Sequence, residues 1–566
     1  MDAWDDLAVF VPKPRAMHKP ARAALIGAAF AALITLPGLA NGTLWDNSET
    51  AYGEVAREIL FFHDWIVMHL NGAAWFIQPP LYFWIAAAFA KLFSVGSFAM
   101  RLPSALATIA MGAITGYAVA RQVGSRAGIY ATVILSTSLM QAIVGRLAIM
   151  DAMLDLAVAL SVFWWFRGLQ TGRDRYFVFG WIAAALGCLT KGPVALVVAL
   201  LIIVPFYFWN SRVESTRLPS WRGWVFGILL FAAITLPWFV ALTARTGVGA
   251  VIELLGHYTF GRYTGTIENQ AGPFWYYVPV LILGFFPWIA FFPASVMYGI
   301  RRLKASGADA TIEPVLRLAF CWIVVPFIFF SFAKTKLPNY IALELPGLAL
   351  LVALYFESVV LSGRRRSMLI SAAVVPVTIG MLAFAIWAFV HDNRLAADAS
   401  SASRDLIAAG AAIFIGSLLT ALLVVRRSTI SVAPYMLGLA SLSSVLALAI
   451  ISLPRAEQFK PVPYLASVIQ RMRVSGDAVA IEGVSGGNAL TFYTQPTVHT
   501  LAVPSAVVHP GDTQQPARDV ICGAARIFIV TSRQHADQRS FGRRRELIAT
   551  RGHDALYLID GPGCKG

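Results

Sequence analysis

The sequence predicts an α-helical polytopic membrane protein of the many-span kind, followed by a small C-terminal α/β domain. Three observations predict it. Of 566 residues, 58% are hydrophobic and only 13% charged, where an ordinary soluble domain carries roughly 25%; mean hydropathy is +0.67. Apolar runs long enough to cross a bilayer, about 17–25 residues each, recur from Ala23 to Leu453. After Pro454 the pattern changes to short apolar strands between Gly, Pro and Asp turns, as in a soluble sheet. The formal net charge of +15 does not mark a nucleic-acid binder, because the basic residues sit in connections between apolar runs, where they orient the chain and meet anionic lipid.

Thirteen runs are candidate spans: 23–40, 101–121, 127–145, 152–168, 176–190, 193–209, 223–244, 275–299, 315–333, 338–357, 367–390, 406–425 and 432–453. A further run, Pro80–Phe93, is short and follows Gln78-Pro79. Most loop basicity lies in the connections at 121–126, 167–175, 210–222, 301–304, 363–366 and 426–427. All of these face the cytoplasm, with the N-terminal Lys13, Arg15, Lys19 and Arg22, if Pro80–Phe93 lies along the interface instead of crossing. The expected organisation is a cytoplasmic tail at 1–22, a membrane domain at 23–453 with periplasmic loops at 41–100, 146–151 and 245–274, and a periplasmic domain at 454–566. The expected location is a bacterial inner membrane, with the N-terminus cytoplasmic, the C-terminus periplasmic and the first span uncleaved. In the tail, VAIEGV, TFYTQP, ARIFIVTS and DALYLID read as strands and VPYLASVIQRM as a helix. Cys188 and Cys321 fall in apolar spans as packing residues; Cys522 and Cys564 can pair if the tail is oxidised.

The acidic residues gather in the outer loops. Asp46, Glu49, Glu54 and Glu58 lie within thirteen residues after the first span, and Asp151 lies in the short link RLAIMDAM. Carboxylates at a bilayer edge cost several kcal/mol if desolvated alone, so they ask for a function. Ser48–Phe62 has helical spacing, with Tyr52, Val55, Ile59 and Phe62 on one stripe. Ser48 and Glu49 also suit that helix's first turn, where a hydroxyl and a carboxylate satisfy free N–H groups. Asp151 suits the start of the next span in the same way. Lys191 in LTKGP is open to two readings, a cation at a helix C-terminus or a phosphate contact. Lys334 and Lys336 in KTKLPNY stand against the charge rule for outer loops, which favours anion binding. His257 and Arg262 lie among aromatics in HYTFGRYTGT.

The ordered series WDNSETAYGEVAREIL, HDWIVMHLNG, QPPLYFW, RLPSALAT, RLAIMD, LTKGP, FGRYTGT…GPFWYY and KTKLPNYIALELP resembles bacterial relatives of the aminoarabinose (lipid A) transferases. With the protein O-mannosyltransferases, these form a superfamily of polytopic GT-C glycosyltransferases. The resemblance covers residues 20–350. It implies a polyprenyl-phosphate sugar donor, a lipid, glycan or protein acceptor at the periplasmic face, and inversion at the anomeric centre without a nucleotide sugar. Asp151, Lys191, His257 and Tyr340 fall where relatives have matching site residues. The family's Asp-Glu pair in the first loop is Ser48–Glu49 here, with Asp46 two residues earlier; its Arg before Tyr52 is Ala51, and its Lys-Pro-Pro-Leu is Gln78-Pro79-Pro80-Leu81.

On that basis the candidate general base is Asp46, Glu49 or Asp151. Lys191, Lys336 and Arg262 are candidates to hold the departing phosphate, and Tyr52, Gln78, His257 and Tyr340 to line the substrate site. The sequence establishes no cofactor; a divalent metal held by Glu49 or Asp46 with His257 is an open reading that spacing does not establish. Membrane lipids are expected partners and nucleic acid is not. A transporter or flippase of lipid-linked sugars is the alternative, and it would put its acids inside spans more than in outer loops.

Overall fold

A chain surrounded by lipid must satisfy every backbone N–H and C=O within itself, so its long apolar runs become helices. The computed structural model describes the backbone of residues 19–45, 48–267, 270–305, 311–392, 396–457, 460–484, 486–494, 498–501, 514–515, 517–532 and 544–560. It comprises two compact units, one of Met1–Leu39 with Pro103–Ser452, the other of Ala40–Leu102 with Leu453–Gly566. Among the described residues seven helices are long and apolar enough to cross a membrane: Ser97–Gln122, Asp151–Thr171, Trp221–Thr246, Glu313–Phe332, Pro338–Ser362, Ala408–Val425 and Ala433–Arg455. A bent pair, Phe274–Gly284 and Trp288–Lys304, makes an eighth if counted as one span. Pro20–Thr35, Leu81–Phe93, Val194–Asn210 and Arg366–Gly380 are shorter apolar helices.

The described elements of the first unit are helices joined by loops, and close approach of small residues sets some of their crossings. A Cβ on Gly27 would lie 2.3 Å from the Gly112 carbonyl oxygen, and one on Gly116 2.6 Å from that of Ala23. Backbones meet there in the small-residue manner of membrane helices. The run 275–299 departs from expectation. It is not one straight span but two helices bent by 105° between Gly284 and Trp288, where Pro287 removes a donor from the ladder. A second break faces the first. The helix Ser125–Thr137 ends at Ser138, whose backbone is extended, and a new helix runs Leu139–Val144. The two breaks supply each other's missing bonds: Leu139 N–H donates to the Phe286 carbonyl at 3.2 Å, and Trp288 Nε1–H to Thr137 Oγ1 at 3.0 Å.

In the second unit, a two-residue hairpin, β1 (His69–Leu70) and β2 (Ala73–Ala74), follows the helix Glu49–Phe62. The C-terminal residues form β3 (Ala478–Glu482), β4 (Val498–Leu501), β5 (Gln514–Gln515), β6 (Arg526–Ser532), β7 (Arg544–Arg551) and β8 (Asp554–Asp560) in one sheet of order β5-β4-β3-β6-β8-β7. Strands β3 to β6 are parallel, and β8 is antiparallel to both β6 and β7. Alternation along β3 sends Val479 and Ile481 to a core with Leu465, Ile469, Phe528 and Val530, and Ala480 to the opposite core with Ile527 and Ile529. TFYTQP is not a strand: Thr491–Thr494 end the helix Gly487–Thr494. Parallel β3 and β4 need a crossover between them, and this helix provides it, against the segment's local strand preference. Cys522 is disulfide-bonded, and Cys564 lies outside the described residues.

The first loop is built into this unit. Thr43 donates its N–H and its hydroxyl to the Glu457 carboxylate at 2.9 and 2.6 Å, and Leu44 N–H donates to the Tyr493 hydroxyl at 2.7 Å. Asn71, in the left-handed region at φ 54°, exchanges two hydrogen bonds with the backbone of Val498 at 2.9 and 3.0 Å. A Cβ on Gly53 would lie 3.0 Å from the Phe492 ring, so glycine there lets helix and ring close up. Burial pushes the Glu457 carboxyl upward, but bonds from Thr43 and the Lys460 ammonium outweigh it and hold the group below its ordinary value.

Candidate functional site

Three short motifs from distant parts of the chain meet in the first unit. Asp151 is the first residue of the helix Asp151–Thr171, and no side chain caps that helix. Its carboxylate instead accepts from two partners at one oxygen: Lys191 Nζ to Oδ1 at 2.5 Å and Asn339 Nδ2 to the same oxygen at 2.7 Å. Asp151 is 4% exposed. Lys191 ends the helix Asp174–Lys191, where Gly192 at φ 81° turns the chain. Its ammonium lies over the Tyr340 ring, 5.4 Å from the centroid. Lys191 thus stands at a helix C-terminus, as one of its two readings has it, and its ammonium pairs with a carboxylate. Asp155, one turn further along, is buried, and its Oδ2 has no hydrogen-bond partner among the described residues. Asn339 was not singled out from sequence, although it precedes Tyr340 in the KTKLPNY motif.

The segment 253–267 is stapled beside this cluster, and Gln270 and Ala271 meet the same strip of chain. Thr335 N–H donates to the Arg262 carbonyl at 3.0 Å, Lys334 N–H to that of Tyr263 at 3.1 Å and Lys336 N–H to that of Gln270 at 2.8 Å. Thr335 Oγ1 donates to Gly265 O at 2.8 Å and accepts from Ile267 N–H at 3.0 Å. A Cβ on Gly192 would meet Thr259 Oγ1 at 3.5 Å, so the segment also borders Lys191. His257 lies on a π-helical stretch, Glu253–Phe260, a geometry frequent at functional sites; it is exposed and packs edge-on to Tyr258 at 4.8 Å. Arg262 is half-buried on the same segment.

Lys336 is held by its own chain. Its buried ammonium donates to the carbonyls of Phe330, Ser331 and Ala333 at 3.3, 2.7 and 2.8 Å. It closes the C-terminal end of the helix Glu313–Phe332, where carbonyls lack intrahelical partners, and burial lowers its pKa. Lys336→Met is expected to cost about 1.5–3 kcal/mol, the worth of charge-assisted hydrogen bonds. It should lower the unfolding temperature and leave the KM for a phosphate-bearing donor unchanged; a raised KM at unchanged stability would return the residue to phosphate binding.

In the second unit, Glu49 is fully buried and both its oxygens are engaged. Arg101 Nε donates to Oε1 at 2.9 Å, Arg101 NH2 to Oε2 at 2.9 Å, and Trp45 N–H to Oε2 at 2.8 Å. Arg101 also donates to the carbonyls of Asn41 and Thr43 at 2.9 and 3.0 Å. With both oxygens held by Arg101 and Trp45, Glu49 ties the start of the helix Glu49–Phe62 to Arg101. Ser48 makes no capping bond with its side chain, and Asp46 lies outside the described residues. Tyr52 packs edge-on to Trp75, Tyr82 and Phe83 at centroid distances of 6.3, 6.4 and 5.7 Å. Gln78 is buried just ahead of the helix Leu81–Phe93. Among the described residues no group of three or more His, Cys, Asp and Glu side chains is arranged to hold a metal ion.

Glu58 shows a titration of its own. Burial and the neighbouring Glu54 raise its pKa from the ordinary 4.5 to about 8, against the Gly72 N–H and Arg57. A carboxyl raised on folding adds stability that is complete below about pH 4.5 and is lost as pH climbs through about 8. Glu58→Gln is therefore expected to flatten the decline in unfolding temperature across that window; an unchanged slope would assign the decline to other groups.

The family model for dolichyl-phosphate-mannose-protein mannosyltransferase matches residues 77–240. The chain is 30% identical over 343 residues, 59% of either chain, to the undecaprenyl phosphate-alpha-4-amino-4-deoxy-L-arabinose arabinosyl transferase 2 of Proteus mirabilis. It is 32% identical over 375 residues, 64% of either chain, to the corresponding transferase of Photorhabdus laumondii. The chain thus spans about three fifths of the length of these relatives. In structure it matches ArnT from Cupriavidus metallidurans bound to undecaprenyl phosphate with a TM-score of 0.78 at 19% identity, over 95% of this chain and 99% of that one. The apo form gives 0.76 over 95% and 98%. The chain is therefore related in sequence to the aminoarabinose transferases, polytopic GT-C glycosyltransferases, and shares the fold of ArnT.

Proposed function

We propose that this protein is a membrane glycosyltransferase that moves a sugar from a polyprenyl-phosphate donor to an envelope acceptor (lipid, glycan or protein) at the periplasmic face, with inversion. In this reading the chain crosses the inner membrane thirteen times, its N-terminus cytoplasmic and residues 454–566 periplasmic. The observation that carries it is the convergence of RLAIMD, LTKGP and KTKLPNY, with Asp151 Oδ1 receiving both Lys191 and Asn339. An acid and a lysine already in contact are suited to an exchange of partners. As the donor's phosphate arrives, Lys191 leaves Asp151 for the phosphate oxygens, and the freed carboxylate turns to the acceptor hydroxyl.

The acceptor oxygen then attacks the anomeric carbon. The bond from that carbon to the phosphate oxygen breaks, and polyprenyl phosphate departs with the electron pair. The acceptor's proton passes to Asp151. Lys191, joined by Arg262, stabilises charge as it develops on the leaving phosphate; Asn339 keeps Asp151 oriented, and Tyr340 and His257 border the sugar.

The test is transfer by the purified protein in lipid nanodiscs, offered labelled polyprenyl-phosphate sugars and extracted envelope acceptors. Label moving to an acceptor supports the reading and names the sugar. Absence of transfer from every donor, with intact donor moving between leaflets, overturns it.

A further inference from the structure

We propose that the end of the helical unit bearing the basic loops carries a second lipid site, remote from the Asp151–Lys191 cluster, which holds an anionic phospholipid by its phosphate. A cavity of about 220 Å³ opens there between the helices Ser97–Gln122, Asp151–Thr171, Glu313–Phe332 and Pro338–Ser362. Its floor is apolar: Ile114, Phe163, Val315, Leu318 and Leu350. Tyr117, Arg121, Gln122 and Arg167 supply its polar side, and no carboxylate lines it. Arg167 lies on the same helix as Asp151, about 24 Å further along at 1.5 Å per residue.

The two guanidinium groups carry the argument. Arginines elsewhere are satisfied in other ways: Arg101 holds Glu49, Arg126 holds Glu357 and Arg317 holds Glu313, while Arg146 is spent on the carbonyls of Ile34, Thr35 and Pro37. At the cavity the bonds go to neutral acceptors. Arg121 NH1 donates to the Tyr117 hydroxyl at 2.9 Å and Arg167 NH1 to Gln170 Oε1 at 3.3 Å, while Arg167 Nε is shut away from water with no partner among the described residues. Two neighbouring cations without an anion are costly at a membrane edge. A phosphate answers both, because a guanidinium fork fits its oxygens bidentately.

The apolar floor selects a lipid over a free anion. The volume falls below the roughly 300–1,000 Å³ of sites that enclose a drug-sized ligand. It accommodates a stretch of one acyl chain, the remainder lying in the bilayer. Trp164 and Tyr176, stacked at 5.6 Å with 11° between their planes, add the amphipathic aromatics found at headgroup level.

The full-length protein, purified in neutral detergent, is titrated with phosphatidylglycerol, phosphatidylcholine or inorganic phosphate, and bound lipid is counted by native mass spectrometry beside the unfolding temperature. The expected result is one retained phosphatidylglycerol, preferred over phosphatidylcholine by about tenfold or more. Arg121→Gln with Arg167→Gln should remove that preference. Ala118→Phe, which fills the cavity and leaves both charges, should remove the bound lipid; Arg167→Lys keeps charge and should keep part of the preference, which separates a lost site from a misfolded protein. Equal retention by wild type and the double variant overturns the proposal. So does a full effect from inorganic phosphate alone, which would make this a small-anion site.

Discussion

Asp151→Asn is expected to reduce sugar transfer by about 10²–10⁴-fold, the range that a positioned proton acceptor contributes, while the protein still inserts and folds. The amide keeps the shape of the carboxyl and one oxygen for Asn339 or Lys191 to approach, so the fold loses little. What it removes is the negative charge that pairs with Lys191 at 2.5 Å and the basic oxygen that would take the acceptor's proton. Transfer is read in nanodiscs with labelled donor, and membrane insertion by extraction and unfolding temperature. A fall in kcat with KM for the donor little changed assigns Asp151 to the chemistry. Near-normal turnover would make the Asp151–Lys191 pair a structural brace between two helices and return the base to the first loop.

Arg101→Ala should destabilise the second unit by about 3–5 kcal/mol, the cost of leaving a buried ion without its partner. Arg101 and Glu49 side chains are 4% and 0% exposed, so water cannot replace the lost guanidinium. The variant also strands the carbonyls of Asn41 and Thr43, which Arg101 holds. Protease sensitivity of the loop and the unfolding temperature give the measurement. Arg101→Met combined with Glu49→Leu should recover most of the loss, because removing both charges removes the desolvation penalty as well. A double variant as unstable as Arg101→Ala would put the carbonyl bonds ahead of the ion pair.

The parts of this molecule written as local patterns are legible in the order of its residues. The apolar runs, the helix over Ser48–Phe62 with its stripe, the strands at Ala478, Arg526 and Asp554, and the three motifs around Asp151, Lys191 and Tyr340 all rest on composition, period or a short ordered match. What escapes depends on partners distant in sequence. Nothing near Glu49 announces Arg101, fifty-two positions on, and a lone charged residue cannot be told from a catalytic one until its partner is known. The outer-loop position expected for Lys336 suggests an anion, whereas the carbonyls that accept from its ammonium belong to the turn just before it. TFYTQP has strand composition, yet the space between two parallel strands requires a helix. The bend near Pro287 answers a second break at Ser138, and neither is visible from the other's neighbourhood.

The hydrogen bonds from Thr43, Leu44 and Asn71 to Glu457, Tyr493 and Val498 set an order of events during synthesis. The first loop completes its fold with residues made more than four hundred positions later. Until then Glu49–Phe62 has its own turn-to-turn bonds but not the Phe492 ring on which Gly53 closes. Contacts of such sequence separation form slowly, since a long stretch of chain must be ordered before they are rewarded. A nascent chain halted before Leu453 would thus carry an inserted bundle with an open, protease-accessible first loop, and quality control could recognise unfinished molecules by that loop alone.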